Sequence, residues 1–405
     1  MFYLQRAIHS RFWIVLVIIM SLLLAAVKCS DFRISSDSWI DRFFSKKLKH
    51  TYTYNATTAP AIAQNVMYFG GKESFDISLF SSVVFAVEVE TERERWRFKL
   101  PPVDAIGHTP VIADGMLYVG TIGSSPHVYA LDVQTGQLKW QTKASNNVLS
   151  PVVVFDGVAC FRSLDGYLYA LDANTGNSKW SFPAYGTLPP LKINTRFEGR
   201  PDEVMSFPTV ANGVVYIGTR SGLYALDVQT GKPLWRFATD NSVDSTPLLD
   251  KGRVYIGSGD ATRHRGYIYG LDAQTGKLQW QYSVHEGMVD SDLAISDNVI
   301  YFGGVSPNLH AVDLVTRQEK WRFPTKASTS YTGAFAHKGT VFFVWEEVLY
   351  AFDPQTGNPY WEYKECHNCE RRSPSIEGPS LYNDTLYYVL RNRIYAFDAT
   401  PHAVE

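Results

Sequence analysis

The stretch Val128–Trp140 reads VYALDVQTGQLKW, and it returns as LYALDANTGNSKW at 168–180, LYALDVQTGKPLW at 223–235 and IYGLDAQTGKLQW at 268–280. Aligned on the acid that closes YALD, the copies fall at Glu88, Asp132, Asp172, Asp227, Asp272, Asp313, Asp353 and Asp398. The steps between them are 44, 40, 55, 45, 41, 40 and 45 residues. Eight residues after each of the first seven acids stands a tryptophan: Trp96, Trp140, Trp180, Trp235, Trp280, Trp321 and Trp361. A period of this length carrying four short strands is the sequence sign of a propeller blade.

The repeat carries its own physical reading. In LYALD, Leu223 and Ala225 project to one face and Tyr224 and Leu226 to the other, so both faces must be covered, as between neighbouring blades. Asp132 ends the third strand, where its carboxylate can accept backbone N–H groups; Thr135 reinforces the turn and Gly136 supplies its positive φ. Each tryptophan then opens an outer strand and wedges against the next blade. Two turns depart from the pattern: blade one reads VETERERW, and HAVDLVTRQEKW has Arg317 in the glycine place, so these turns are expected to be looser. The last copy, RIYAFDATPHAVE, stops after its third strand, and HTYTY at 50–54 is the candidate to supply the fourth. The expected fold is all-β: an eight-bladed propeller of four-stranded antiparallel blades over 49–405, closed by an N-terminal strand.

Composition agrees. Aromatic residues make up 14% and charged residues 19%, a balance suited to half-buried pleated surfaces. A formal charge of −2 offers no basic field for nucleic acid. Arg6 and Arg11 precede a largely apolar run from Phe12 to Val27, the layout of an export signal. The run is longer than most signal cores and short of the ~20 residues that span a bilayer, so over 1–30 a cleaved signal and a retained membrane anchor both satisfy the pattern. Cys29 could receive lipid, although Lys28 directly before it is a poor fit to a lipidation site. Residues 31–48 read as a juxtamembrane linker or a short amphipathic helix with Trp39, Ile40, Phe43 and Phe44 on one side. The expectation is an exported, periplasmic or otherwise extracytoplasmic, membrane-associated chain with a monomeric propeller.

The YALDxxTGxxxW repeat is similar to the tryptophan-docking repeat of the PQQ-type propellers, from about Lys49 to the C-terminus. Two branches share it: quinoprotein dehydrogenases, which carry pyrroloquinoline quinone and calcium on the propeller axis, and a non-catalytic, BamB-like branch that serves outer-membrane protein assembly. The first implies an oxidoreductase needing oxygen ligands for the cation, an aspartate base, an arginine and a flat aromatic floor. Residues expected to line the axis include Thr109, Ser150, Ser206, Asp244, Asp290, Asp292 and Glu377. They are mostly short and polar, so no cofactor is expected and PQQ with calcium is the alternative. Asp290 and Asp292 could face one way on a strand as a cation pair, or one could tether a neighbouring blade while the other is solvated. No nucleophile, zinc or phosphate-loop motif is present, so the first reading is a non-enzymatic scaffold, with a quinoprotein or a ligand-sensing propeller as alternatives. Cys366 and Cys369 form CxxC without the histidine that haem attachment needs, which suits a short disulfide loop outside the cytosol. Cys160 is expected to be a buried hydrophobe.

The 55-residue step between Asp172 and Asp227 adds AYGTLPPLKINTRFEGRPDEVM, whose apolar and arginine side chains suit a protein interface. In the BamB-like branch, a leucine-and-arginine loop at this junction and an aspartate one blade later dock the barrel-assembly subunit. The resemblance carries this role to Leu191, Arg196 and Asp244 as candidate partner-binding residues.

Overall fold

Strands that are apolar on both faces need a sheet on either side, and the computed structural model meets that need with a ring. The structure describes residues 48–73, 82–102, 104–182, 203–260, 265–285, 287–304, 308–324, 333–345, 348–364 and 378–400, all within one compact unit. The candidate signal, Cys29, Leu191, Arg196, Cys366, Cys369 and Glu377 lie outside them.

Eight antiparallel sheets follow one another along the chain. Blade three is built from Val153–Phe155, Val158–Arg162, Leu168–Asp172 and Ser178–Phe182; blade four from Thr209–Ala211, Val214–Thr219, Gly222–Asp227 and Pro233–Ala238. Blade five comprises Leu248–Asp250, Arg253–Asp260, Arg265–Asp272 and Leu278–Val284; blade six Ala294–Ser296, Val299–Phe302, Asn308–Asp313 and Glu319–Pro324. Blade two gains a fifth strand, Asp104–Ile106, beside the end of Met116–Gly123. First strands of neighbouring blades touch, as Val153–Phe155 does Thr209–Ala211, and so form the hub. Because directions alternate, each blade's second and fourth strands end on one face of the ring, where the chain crosses to the next blade. The tight turns of Asp132 and its counterparts lie on the opposite face.

The eighth blade, Ser380–Tyr382, Thr385–Leu390 and Arg393–Asp398, takes its outer strand from Leu48–Tyr52, which pairs antiparallel with Arg393–Asp398. The closing strand is as expected, starting two residues earlier than the HTYTY stretch and one before the expected propeller boundary. It completes the last sheet with the segment that leads into the first, so the two ends of the ring share one blade.

There is no single core. Eight apolar clusters each draw on the facing sheets of two adjacent blades. Tyr224 and Leu226 pack towards blade three and Leu223 and Ala225 towards blade five, which is the alternation read from LYALD. Cys160 is buried in the seam between blades three and four.

The tryptophans fasten these seams. The indole nitrogens of Trp96, Trp140, Trp180, Trp235 and Trp321 donate to the carbonyls of Val133, Ala173, Val228, Ala273 and Pro354, at 2.9–3.1 Å. Every acceptor is the residue that follows the repeat acid of the next blade. The glycine of that turn serves two ends: Gly176 sits at φ 73°, and a Cβ there would come within 2.5 Å of the Trp140 ring. The same contact recurs between Gly136 and Trp96, Gly231 and Trp180, Gly276 and Trp235, and Gly357 and Trp321. The repeat acid holds the turn as read: Asp132 Oδ1 accepts the Gln134 and Thr135 amides at 3.1 and 2.9 Å and the Thr135 hydroxyl at 2.9 Å. Lys139 and these donors hold the Asp132 carboxyl down at about 2.

The departures differ from expectation. Arg317 adopts φ 61° and its amide still bonds to Asp313 O at 2.9 Å, while Asp313 accepts the Val315 and Thr316 amides. The turn in blade one likewise keeps Glu92 N to Glu88 O at 3.0 Å, and Glu88 is held at about 2 by Arg93, Thr91 and Arg95. Neither turn is loose. A backbone hydrogen bond is indifferent to the side chain; what changes is the surface offered to the neighbouring blade.

Candidate functional site

On the crossover face of blades three to five the second-strand ends and the inter-blade connections bring four charged groups together. Arg162 ends the second strand of blade three, and its Nε donates to Val204 O at 3.0 Å. Arg220, in the turn after Val214–Thr219, donates through Nε to Glu203 Oε2 at 2.7 Å. Glu203 itself rests against Gly166 in the facing turn of blade three, where a Cβ would meet its Cγ at 3.0 Å. Asp244, on the crossing from blade four to blade five, accepts the Ser242 hydroxyl at 2.7 Å.

Burial pushes the Asp244 carboxyl above its ordinary range, against the pull of Ser242, Arg162 and Arg220. Burial likewise lowers Arg162, with Asp244 and Glu203 opposing. For Asp244 and Arg162 burial thus outweighs the attraction of their charged neighbours. Leu164, two residues past Arg162, is 54% exposed beside them. Arginine, which positions 162 and 220 supply, is enriched at protein interfaces and among their energetic anchors.

Of the residues the resemblance singled out, Asp244 stands in this cluster. Phe182 and Glu203 bound the connection that carries Leu191 and Arg196. Arg162, Glu203 and Arg220 were missed. Arg162 had a signal: CFRS in blade three replaces the YVGT, YIGT and YIGS of blades two, four and five, so an arginine stands where those blades have Gly120, Gly218 and Gly257.

The axis is built differently from expectation. Ser150 and Ser206 do not line it: both are buried within their blades, accepting the amides of Arg162 and Gly218 at 2.9 and 2.8 Å. Ser245 and Ser291 serve blades five and six in the same way. These hydroxyls tie each innermost strand to the one outside it. Asp290 and Asp292 precede the first strand of blade six and do not share a strand; Asp292 Oδ1 accepts the Thr246 amide of blade five at 3.3 Å, the tether reading of the pair. Across the hub the Phe207 ring of blade four meets the His108 ring of blade two edge to face, centroids 5.1 Å apart. Among the described residues no three His, Cys, Asp or Glu side chains gather to hold a metal ion. No helix among the described residues is long and apolar enough to cross a membrane.

Comparison with known proteins agrees with this architecture. A quinohemoprotein alcohol dehydrogenase ADH-IIG from Pseudomonas putida is 32% identical over 168 residues, covering 39% of this chain and 23% of the relative. An outer membrane protein assembly factor BamB from Yersinia pestis is 28% identical over 192 residues, covering 43% of this chain and 46% of the relative. The matches thus span less than half the length of these relatives. Among solved structures, BamB from Moraxella catarrhalis aligns with a TM-score of 0.66 at 17% identity, over 87% of this chain and 99% of its own. Quinohemoprotein alcohol dehydrogenase from Comamonas testosteroni aligns with a TM-score of 0.64 at 15% identity, over 90% and 78%. At such identities the structures speak for the fold alone. The family model described as outer membrane protein assembly factor BamB matches residues 81–200 and 194–403, and the chain belongs to that family.

Proposed function

We propose that this protein is an exported, membrane-associated scaffold that holds a protein partner on the crossover face of blades three to five, in the service of outer-membrane protein assembly. The observation that carries the reading is the cluster of Arg162, Glu203, Arg220 and Asp244 beside exposed Leu164, at the ends of the connection bearing Leu191 and Arg196. Family membership supports the assembly context, and a hub in which Phe207 packs on His108 while the serines of the inner connections are buried within their blades accords with a non-catalytic role. Candidate anchor and docking patch lie in separate parts of the chain, as a tethered scaffold requires.

Capture from native membranes tests this. Leu164→Asp, Asp244→Asn, and Leu191→Ala with Arg196→Ala are each expected to weaken partner capture by roughly tenfold or more, as loss of an interface anchor does, while leaving the melting temperature unchanged. Undiminished capture by all three would remove the docking face. A calcium-dependent absorbance change on adding PQQ would instead promote the oxidoreductase reading suggested by the quinohemoprotein relatives.

A further inference from the structure

We infer that the seam between blades five and six is where this ring opens first, a release point in a fastening that five other seams share. Five seams place an indole flat on a turn glycine and bond its nitrogen to the next carbonyl. At the sixth blade the glycine is Arg317, held at φ 61°, in the left-handed region that costs a side-chain-bearing residue energy. At the five glycine seams a Cβ in this position would come within about 2.5 Å of the ring. Trp280 is oriented differently. It stands at 72° to Tyr255 of its own blade, where the corresponding angles are 43°, 56°, 52°, 40° and 58° for Trp96, Trp140, Trp235, Trp321 and Trp361. It stacks instead along Tyr282, at 17° and 6.2 Å.

The consequence is an orphaned donor. Trp280 is 4% exposed, and its indole nitrogen has no hydrogen-bond partner. A buried unpaired N–H gives up its water without recompense, so opening this seam releases a cost that a seam with a bonded indole does not carry at its tryptophan. Nothing at the same depth replaces the lost bond among the described residues: Arg317 reaches the Gln279 carbonyl at 3.5 Å, the limit of a hydrogen bond, and the other ties across this seam, Lys251 to Asn298 at 3.0 Å and Thr246 to Asp292 at 3.3 Å, are exposed. Blade six also has a second strand of four residues, Val299–Phe302, shorter than its counterparts. Strain, an unmet donor and a short strand coincide at one junction, so local opening will be least costly there.

Hydrogen exchange of the tryptophan indole N–H groups in the full chain, labelled with nitrogen-15 and assigned with Trp280→Phe, reads the seams separately. The Trp280 indole is expected to exchange about tenfold or more faster than those of Trp140 and Trp235. Arg317→Gly, which relieves the backbone and makes room for the ring, should bring it into their range. Gly276→Asn, the reciprocal change between blades four and five, tolerates the left-handed backbone but carries a Cβ, and should speed Trp235. Trp280 exchange as slow as the rest in the unaltered chain, or unmoved by Arg317→Gly, would overturn the inference.

Discussion

Three turns of this ring lack the glycine, at Glu92, Arg317 and His402, and the two that lie among the described residues have fared differently. Between blades eight and one, Glu92 stands in the glycine place at φ 55°, and the closing strand puts His50, not tryptophan, opposite Ala396. His50 Nε2 and Glu92 Oε1 meet at 2.6 Å, and two residues on, the Tyr52 hydroxyl donates to Val89 O at 2.9 Å. Val89 is the counterpart of Val133 and Ala173, so the bond that an indole makes elsewhere is made here by a phenol from another position. Between blades five and six the tryptophan stayed when the glycine went, and its donor was left without a partner. The comparison teaches that the fastening is a two-residue unit. At the closure both members are replaced and the bond is rebuilt; at blade six only the glycine is replaced and the indole is stranded.

Breaking the rebuilt seam should have the largest effect. Tyr52 is 2% exposed and packs on Tyr387, so Tyr52→Ala is expected to cost about 3–5 kcal/mol, while Tyr52→Phe, losing the bond to Val89, should cost about 1 kcal/mol; denaturant unfolding measures both. Next comes a regular seam. Gly176→Ala puts a Cβ into the Trp140 ring at a positive φ, and roughly 2–4 kcal/mol of stability should go with it. Arg317→Gly should act in the opposite direction and raise stability by about 1 kcal/mol, by freeing Trp280 to dock.

Acid sharpens the contrast between frame and site. Asp132 and Glu88 are held at about 2 in the folded chain, below their ordinary carboxylate values, so each stabilises the fold above about pH 4 and loses that effect as pH falls towards 2. Asp244 has the opposite sign: its carboxyl is raised, so the fold binds its proton more tightly than the unfolded chain does, and ionisation lowers stability as pH rises. Melting temperature followed from pH 2 to 7 should therefore show a shallower acid limb for Asp132→Asn. Asp244→Asn should show no loss at neutral pH, even where partner capture falls.

The ring was legible because its information is periodic. A repeat acid, a turn glycine and a tryptophan at fixed spacing define a blade without reference to any other blade, and a last copy one strand short announces the closure by Leu48–Tyr52. The site was legible only in part. Asp244 came through resemblance, and Arg162 could have been found as an arginine in a glycine position, but the pairing of Arg220 with Glu203 follows from a turn and a crossing that meet only in the folded ring. The same limit explains Arg317. Its own turn looks altered in sequence, yet the damage falls on Trp280, 37 residues away on the neighbouring blade.

The central claim, a ring fastened seam by seam and closed by its N-terminal strand, is tested most directly at the closure. His50 and Ala396 face each other across the pairing of Leu48–Tyr52 with Arg393–Asp398. With both changed to cysteine, Cys29, Cys366 and Cys369 changed to serine and Cys160, which is buried, left in place, mild oxidation of the folded chain should join them within one molecule and raise the melting temperature. Failure of these two positions to cross-link in the folded protein, or a cross-link that forms only between molecules, would contradict the closed ring.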